Sequence, residues 1–242
     1  TEVVTIPTLY PSGGEKQLIR ILTGREVPSN GIPAQIGILC QNVGTCAAVA
    51  DAVLEGKPLI SRYVTLTGRA FDDPRNLTVP IGTSAEHLIE QVGGFKGGLR
   101  KLVLGGPMMG ISLERQDVPI TKAANCLLAL TEEEAPDQGP ALACIRCGTC
   151  ANACPMSLLP QQMYWHARAK DLEKVQDYNL FDCIECGCCA HVCPSHIPLV
   201  QYYRYAKTES WAREQERRKA EHARQRHQSK EERTERQERE RK

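Results

Sequence analysis

Two cysteine runs fix most of what this chain can become. Cys144, Cys147, Cys150 and Cys154 form a C-x2-C-x2-C-x3-C-P run ending at Pro155. Cys183, Cys186, Cys189 and Cys193 repeat it, ending at Pro194, at a constant offset of 39 residues. Two residues between cysteines bring successive thiolates onto neighbouring corners of one iron–sulfur cubane, while the fourth cysteine of such a run reaches the other cluster. The spacing therefore predicts two [4Fe–4S] clusters with exchanged fourth ligands. Cys144, Cys147, Cys150 and Cys193 hold the first; Cys183, Cys186, Cys189 and Cys154 hold the second. The proline after each run has no N–H and a fixed φ, so it stops the turn from running on.

Structural zinc is the bland alternative, but zinc usually draws its four ligands from two separated pairs. Disulfides are the other, and they fit poorly with so dense a motif in a chain of 242 residues. Cys188 lies between two ligands and points elsewhere. Cys40, Cys46 and Cys126 lie among apolar or small residues and read as buried hydrophobes.

The net charge of +1 hides an asymmetry, because residues 207–242 hold 13 Lys+Arg against 9 Asp+Glu. The body is thus mildly acidic and the tail mildly basic. No apolar run approaches the roughly 20 residues that span a bilayer, and the first residues do not read as a signal peptide. Reduced thiolates favour a cytoplasmic setting. The chain opens on Thr1 in what reads as mid-domain, which suggests a fragment without its N-terminal portion.

Along the chain, residues 1–56 read as α/β. Strands are expected at 3–6 and 34–39, a helix over 15–22 closed by Gly24, and a helix over 46–54 closed by Gly56. Asn42 and Thr45 stand at a turn before that second helix, which suits either an anionic or flavin-type ligand or simple capping. Residues 57–112 alternate like strands at 59–67, 77–81 and 101–104, around a helix capped by Thr83 or Ser84. This predicts a small α+β domain of β-grasp type with no catalytic constellation. Residues 113–140 read as a linker. Residues 141–206 form a helical dicluster domain whose aromatics, including Tyr164, Trp165 and Tyr203, serve its core. Residues 207–242 lack an apolar stripe and read as a solvated charged helix, or a disordered tail, with no nucleic-acid signature. The fold class is therefore a multidomain α+β chain.

Several stretches together resemble the C subunit of the Rnf (Rsx) ion-translocating electron transport complex. They are Tyr10-Pro11-Ser12-Gly13-Gly14-Glu15-Lys16-Gln17, Leu22-Thr23-Gly24-Arg25-Glu26-Val27-Pro28, Gln41-Asn42-Val43-Gly44-Thr45, the β-grasp segment and both cysteine runs. The first block also resembles the end of the complex I flavoprotein subunit, and the β-grasp segment looks like an SLBB domain. That resemblance implies flavin or nucleotide contacts at Tyr10, Gly13, Glu15, Asn42 and Thr45. The family's glycine-rich loop is absent here, so it implies FMN for a full-length protein and poor FMN binding by this chain alone. It further implies electron transfer with NADH or ferredoxin as redox partner, partners among the other Rnf subunits, and a peripheral position on the cytoplasmic side of the inner membrane. No residue is expected to act as acid, base or nucleophile. Two alternatives share these parts: a cobalamin reductase-type flavin/iron–sulfur protein and a stand-alone ferredoxin-like relay.

Overall fold

A computed structural model describes residues 2–240. Two units emerge from the chain's packing. The first holds everything up to Ala143 together with Cys186–Cys188 and Pro194–His196. The second holds Cys144–Glu185, Cys189–Cys193 and the chain from Ile197 onward.

The first unit begins with helix α1 (Glu15–Thr23), which buries Ile19 and ends at Gly24 in the left-handed region. Helix α2 (Val43–Glu55) follows, with the Asn42 side chain accepting from the Gly44 N–H at 2.9 Å and Gly56 closing it. The strands expected at 3–6 and 34–39 do not form. A strand needs a neighbour for its N–H and C=O groups, and Val3 and Leu39 are instead 88% and 78% exposed. Pro33 pre-sets a helical φ and starts a 3-10 turn over Pro33–Ile36. Cys46 is a second correction: it is exposed, because α2 buries no residue, while Cys40 and Cys126 are half-buried.

A five-stranded sheet dominates the rest of this unit. Its strands are β1 (Ser61–Thr67), β2 (Arg75–Pro80), β3 (Leu99–Leu104), β4 (Ile111–Leu113) and β5 (Cys126–Thr131). They lie in the order β2-β1-β5-β3-β4, with β1 and β5 parallel and the other pairs antiparallel. A hairpin, a helix and a last strand inserted beside the first make the expected β-grasp arrangement. The helix is α3 (Ala85–Gln91), capped by the Ser84 hydroxyl, which accepts from the His87 N–H. Alternation places Val64 and Leu66 of β1 inward, where they meet Leu88 and Val92 with Phe71 and Leu127. Residues 126–131, read from sequence as linker, are therefore the central strand. Gly68 makes that possible: at φ +113° its position would put a Cβ 2.0 Å from the Ala129 carbonyl oxygen, so only glycine fits beside β5.

The second unit is helical, with α4 (Thr149–Asn152), α5 (Pro160–Arg168), α6 (Leu172–Asp177), the single-turn α7 (Cys188–His191), which also draws on the first unit, and α8 (Leu199–Glu240). Its core joins Met163, Tyr164 and Ala167 of α5 to Leu172 and Val175 of α6 and to Leu199, Tyr203 and Ala206 of α8. The Tyr203 hydroxyl donates to the Pro160 carbonyl at 2.7 Å, tying α8 to the start of α5. The expected break at 206/207 is absent, since α8 runs unbroken for 42 residues. It stays attached through Ser210, which is buried, and Trp211, which stacks on Phe181 at 6.0 Å. Beyond these its described residues bury nothing and are held by pairs such as Glu214 with Arg217 and Arg218. The last two positions of the tail read over 207–242, and Thr1 of the segment 1–56, lie outside the described residues.

Candidate metal centre

The two cysteine runs repeat in backbone conformation as well as in sequence. Arg146 and Glu185 have φ of 57° and 56°, Gly148 and Gly187 of 77° and 85°, and Ser157 and His196 of 52° and 50°. Each pair is separated by the same 39 residues as the cysteines. Left-handed φ is uncommon outside glycine and costs energy, so its recurrence at matched places marks a conformation that the chain is built to hold. At each run it turns an amide toward a sulfur. The Arg146 N–H donates to Cys144 Sγ and the Glu185 N–H to Cys183 Sγ, both at 3.4 Å. The Leu158 N–H donates to Cys154 Sγ at 3.4 Å and the Thr149 hydroxyl to Cys147 Sγ at 3.2 Å. One-turn helices α4 and α7 then carry each run onward.

None of the twelve cysteines is in a disulfide. Cys189 is buried in the core of the second unit, and Cys144, Cys150, Cys154, Cys183 and Cys193 pack against it. Cys147 is exposed and Cys186 buried. Burial pushes the Cys150 and Cys183 thiols up. The Thr149 hydroxyl and N–H pull Cys147 down. Among the described residues no three His, Cys, Asp or Glu side chains converge on a single metal ion. The donor set is thus soft, anionic when deprotonated, half-buried and supplied with N–H donors. Such a set suits an iron–sulfur cluster, whose positive irons offset the cost of burying thiolates.

The five residues that resemblance linked to flavin lie just before and within the first turns of α1 and α2. Asn42 lines a cavity of about 540 Å³ with Asp51, Lys57, Arg62 and Tyr63. Its side chain is already engaged as the α2 cap. Thr45 sits half-buried in the first turn of α2, with its N–H on the Asn42 carbonyl. Glu15 opens α1 and Gly13 precedes it, both exposed. Tyr10 is 49% exposed and donates from its hydroxyl to the Cys186 carbonyl at 2.6 Å. Burial, then the Cys186 and Cys188 thiols, push its phenol up, so it remains a donor.

Three family models match the chain in succession. They are the Nuo51 FMN-binding domain over residues 1–51, the SLBB domain over 63–112 and the 4Fe-4S dicluster domain over 143–197. A Pseudomonas aeruginosa protein, named as the C subunit of the ion-translocating oxidoreductase complex, is 54% identical over 180 residues, covering 74% of this chain and 23% of the relative. Its namesake in Vibrio cholerae is 54% identical over 179 residues, covering 73% and 23%. The one in Yersinia enterocolitica is 50% identical over 177, covering 73% and 25%. The chain belongs to this C-subunit family. It spans about a quarter of the length of these relatives.

Membership bears out the resemblance, and the dicluster match spans all eight cysteines of the two runs. Among the described residues no helix is long and apolar enough to cross a membrane. Sequence reasoning missed one charged group of the second unit. The Glu185 carboxylate accepts from Arg204 Nε at 2.9 Å and from Lys207 Nζ at 2.8 Å, and Lys207 also donates to the Cys183 carbonyl at 2.7 Å. The available signal was the 39-residue offset, which sets Glu185 opposite Arg146.

Proposed function

We propose that this chain is the electron-relay portion of an Rnf-type C subunit, with two [4Fe–4S] clusters, within a membrane-associated complex that couples electron flow to ion movement. The ligand sets are Cys144, Cys147, Cys150 with Cys193, and Cys183, Cys186, Cys189 with Cys154. The observation that carries this reading is the recurrence of left-handed turns and amide-to-sulfur bonds at a fixed offset in both runs. When bound, the clusters supply one-electron transfer. The chain's own residues do the rest. Amides of Arg146, Glu185 and Leu158 donate to cysteine sulfur, which tunes potential. Met163, Tyr164, Leu180 and Tyr203 keep water from the sulfurs that pack against them.

The redox partner in this reading is NADH or ferredoxin, the other partners are the remaining subunits of the complex, and the chain sits peripherally on the cytoplasmic side of the inner membrane. FMN belongs to the longer protein. Asn42 is engaged as the α2 cap and the Tyr10 hydroxyl is engaged on the Cys186 carbonyl, which supports a relay role for this chain by itself. Purification without oxygen tests the reading: about eight irons per chain are expected. Zinc, or iron far below that count, overturns it. Added NADH should leave the cluster absorbance unbleached in this chain and bleach it in the longer protein.

A further inference from the structure

The two cysteine runs share a backbone but not a charge environment. At the offset of 39 residues, Glu185, Arg204 and Lys207 correspond to Arg146, Trp165 and Arg168. In the second run the three form a tied group. Lys207 Nζ lies 2.8 Å from one Glu185 oxygen and 2.7 Å from the Cys183 carbonyl, and Arg204 Nε lies 2.9 Å from the other Glu185 oxygen. The side chain of Lys207 is only 13% exposed and that of Glu185 25%. The matching positions of the first run form no such group. Arg146 and Arg168 are exposed. The Arg168 guanidinium lies 5.9 Å from the Trp165 ring centroid, and its Nη1 lies 3.3 Å from the Tyr164 hydroxyl.

A half-buried ammonium is an expensive thing to keep beside a metal site without purpose, because charge is costly out of water. Glu185 offsets that cost and shares its carboxylate with Arg204, while the Lys207 ammonium keeps its charge. Held on the Cys183 carbonyl, that charge acts through a poorly solvated region where screening is weak. Reduction adds negative charge to a cluster, so a fixed cation nearby favours the reduced form. Charge and hydrogen bonding are established controls of cluster potential.

We propose that Lys207 sets the reduction potential of the cluster held by the Cys183 run, raising it above that of its twin. Glu185 and Arg204 are positioning residues that hold the ammonium against the Cys183 carbonyl. Two clusters with near-identical ligand geometry thereby acquire unequal potentials, which gives electrons an order of passage. This rests on the two-cluster reading above.

Redox titration followed by electron paramagnetic resonance on the iron-loaded full chain tests it, with Cys147→Ser marking the signal of the other cluster. Lys207→Met should lower the potential of the Cys183-run cluster alone, and Lys207→Arg should restore it. Lys207→Gln, which keeps a polar group without charge, should behave like Lys207→Met. Unchanged potentials, an equal shift of both clusters, or a shift of the marked cluster instead would overturn the assignment. So would loss of iron from both neutral variants, which would make Lys207 a folding tie. A wild-type chain that fails to titrate as two four-iron clusters would defeat the reading beneath the proposal, which is a separate result.

Discussion

A cysteine that serves the neighbouring cluster reveals itself by the signal its loss disturbs. Cys193 ends the second run, yet the spacing gives it to Cys144, Cys147 and Cys150. Cys193→Ser should therefore alter the same paramagnetic signal that Cys147→Ser alters, and leave the other signal intact. Disturbance of the Cys183-run signal instead would show each run closing on its own cluster. At the same scale, Phe71 is fully buried in the β-grasp core and stacks on Phe95 at 5.4 Å. Truncating such a side chain leaves a cavity and loses its transfer energy, typically about 3–5 kcal/mol. Phe71→Ala should lower the stability of the sheet by that order in urea titrations followed by hydrogen exchange on β1. Iron content should be unchanged, because Phe71 packs in the sheet core, a cluster that holds none of the eight run cysteines.

Helix α8 is one element with two environments, and variants should separate them. Tyr203 is buried and its hydroxyl satisfies the Pro160 carbonyl. Tyr203→Phe keeps the packing but removes one buried hydrogen bond to a carbonyl that also serves the first turn of α5, which costs about 0.5–1.5 kcal/mol. Thermal unfolding of the iron-loaded chain should show the loss. Ending the chain after Arg213 removes turns that bury nothing, so iron content and melting should hold while helical circular dichroism falls. Elements were legible in sequence where their signal is local. The cysteine runs, the Ser84 and Asn42 caps and the glycine stops at Gly24 and Gly56 depend on a few neighbouring residues. β5 was not legible, because its place is set by pairing with β1, some sixty residues away, and by the room that Gly68 leaves. The strands expected at 3–6 and 34–39 failed for the same reason: among the described residues no strand lies beside them to pair with. The Glu185–Lys207 contact joins residues 22 apart and emerges only once α8 starts inside the second unit rather than after it.

For the molecule as a whole, the two units differ in what holds their cores together. The sheet unit encloses Val64, Leu66, Phe71, Leu88, Val92 and Leu127, with none of the eight run cysteines in that cluster. The helical unit packs Cys144, Cys150, Cys154, Cys183 and Cys193 against short helices, of which α4 spans 4 residues and α6 spans 6. Helices that short are not stable alone and draw their order from packing. Where metal ligation organises such a core, binding energy is folding energy. Burial already holds Cys150 and Cys183 as neutral thiols when nothing positive binds them, so removing iron also removes the force that drew these groups together. Stripping iron with a chelator under oxidising conditions, then re-reducing, should collapse hydrogen-exchange protection over α5, α6 and the root of α8. Protection over β1, β3 and β5 should persist. Equal loss in both would mean that the sheet unit, too, depends on the metal, and would defeat the division of labour argued from the two cores.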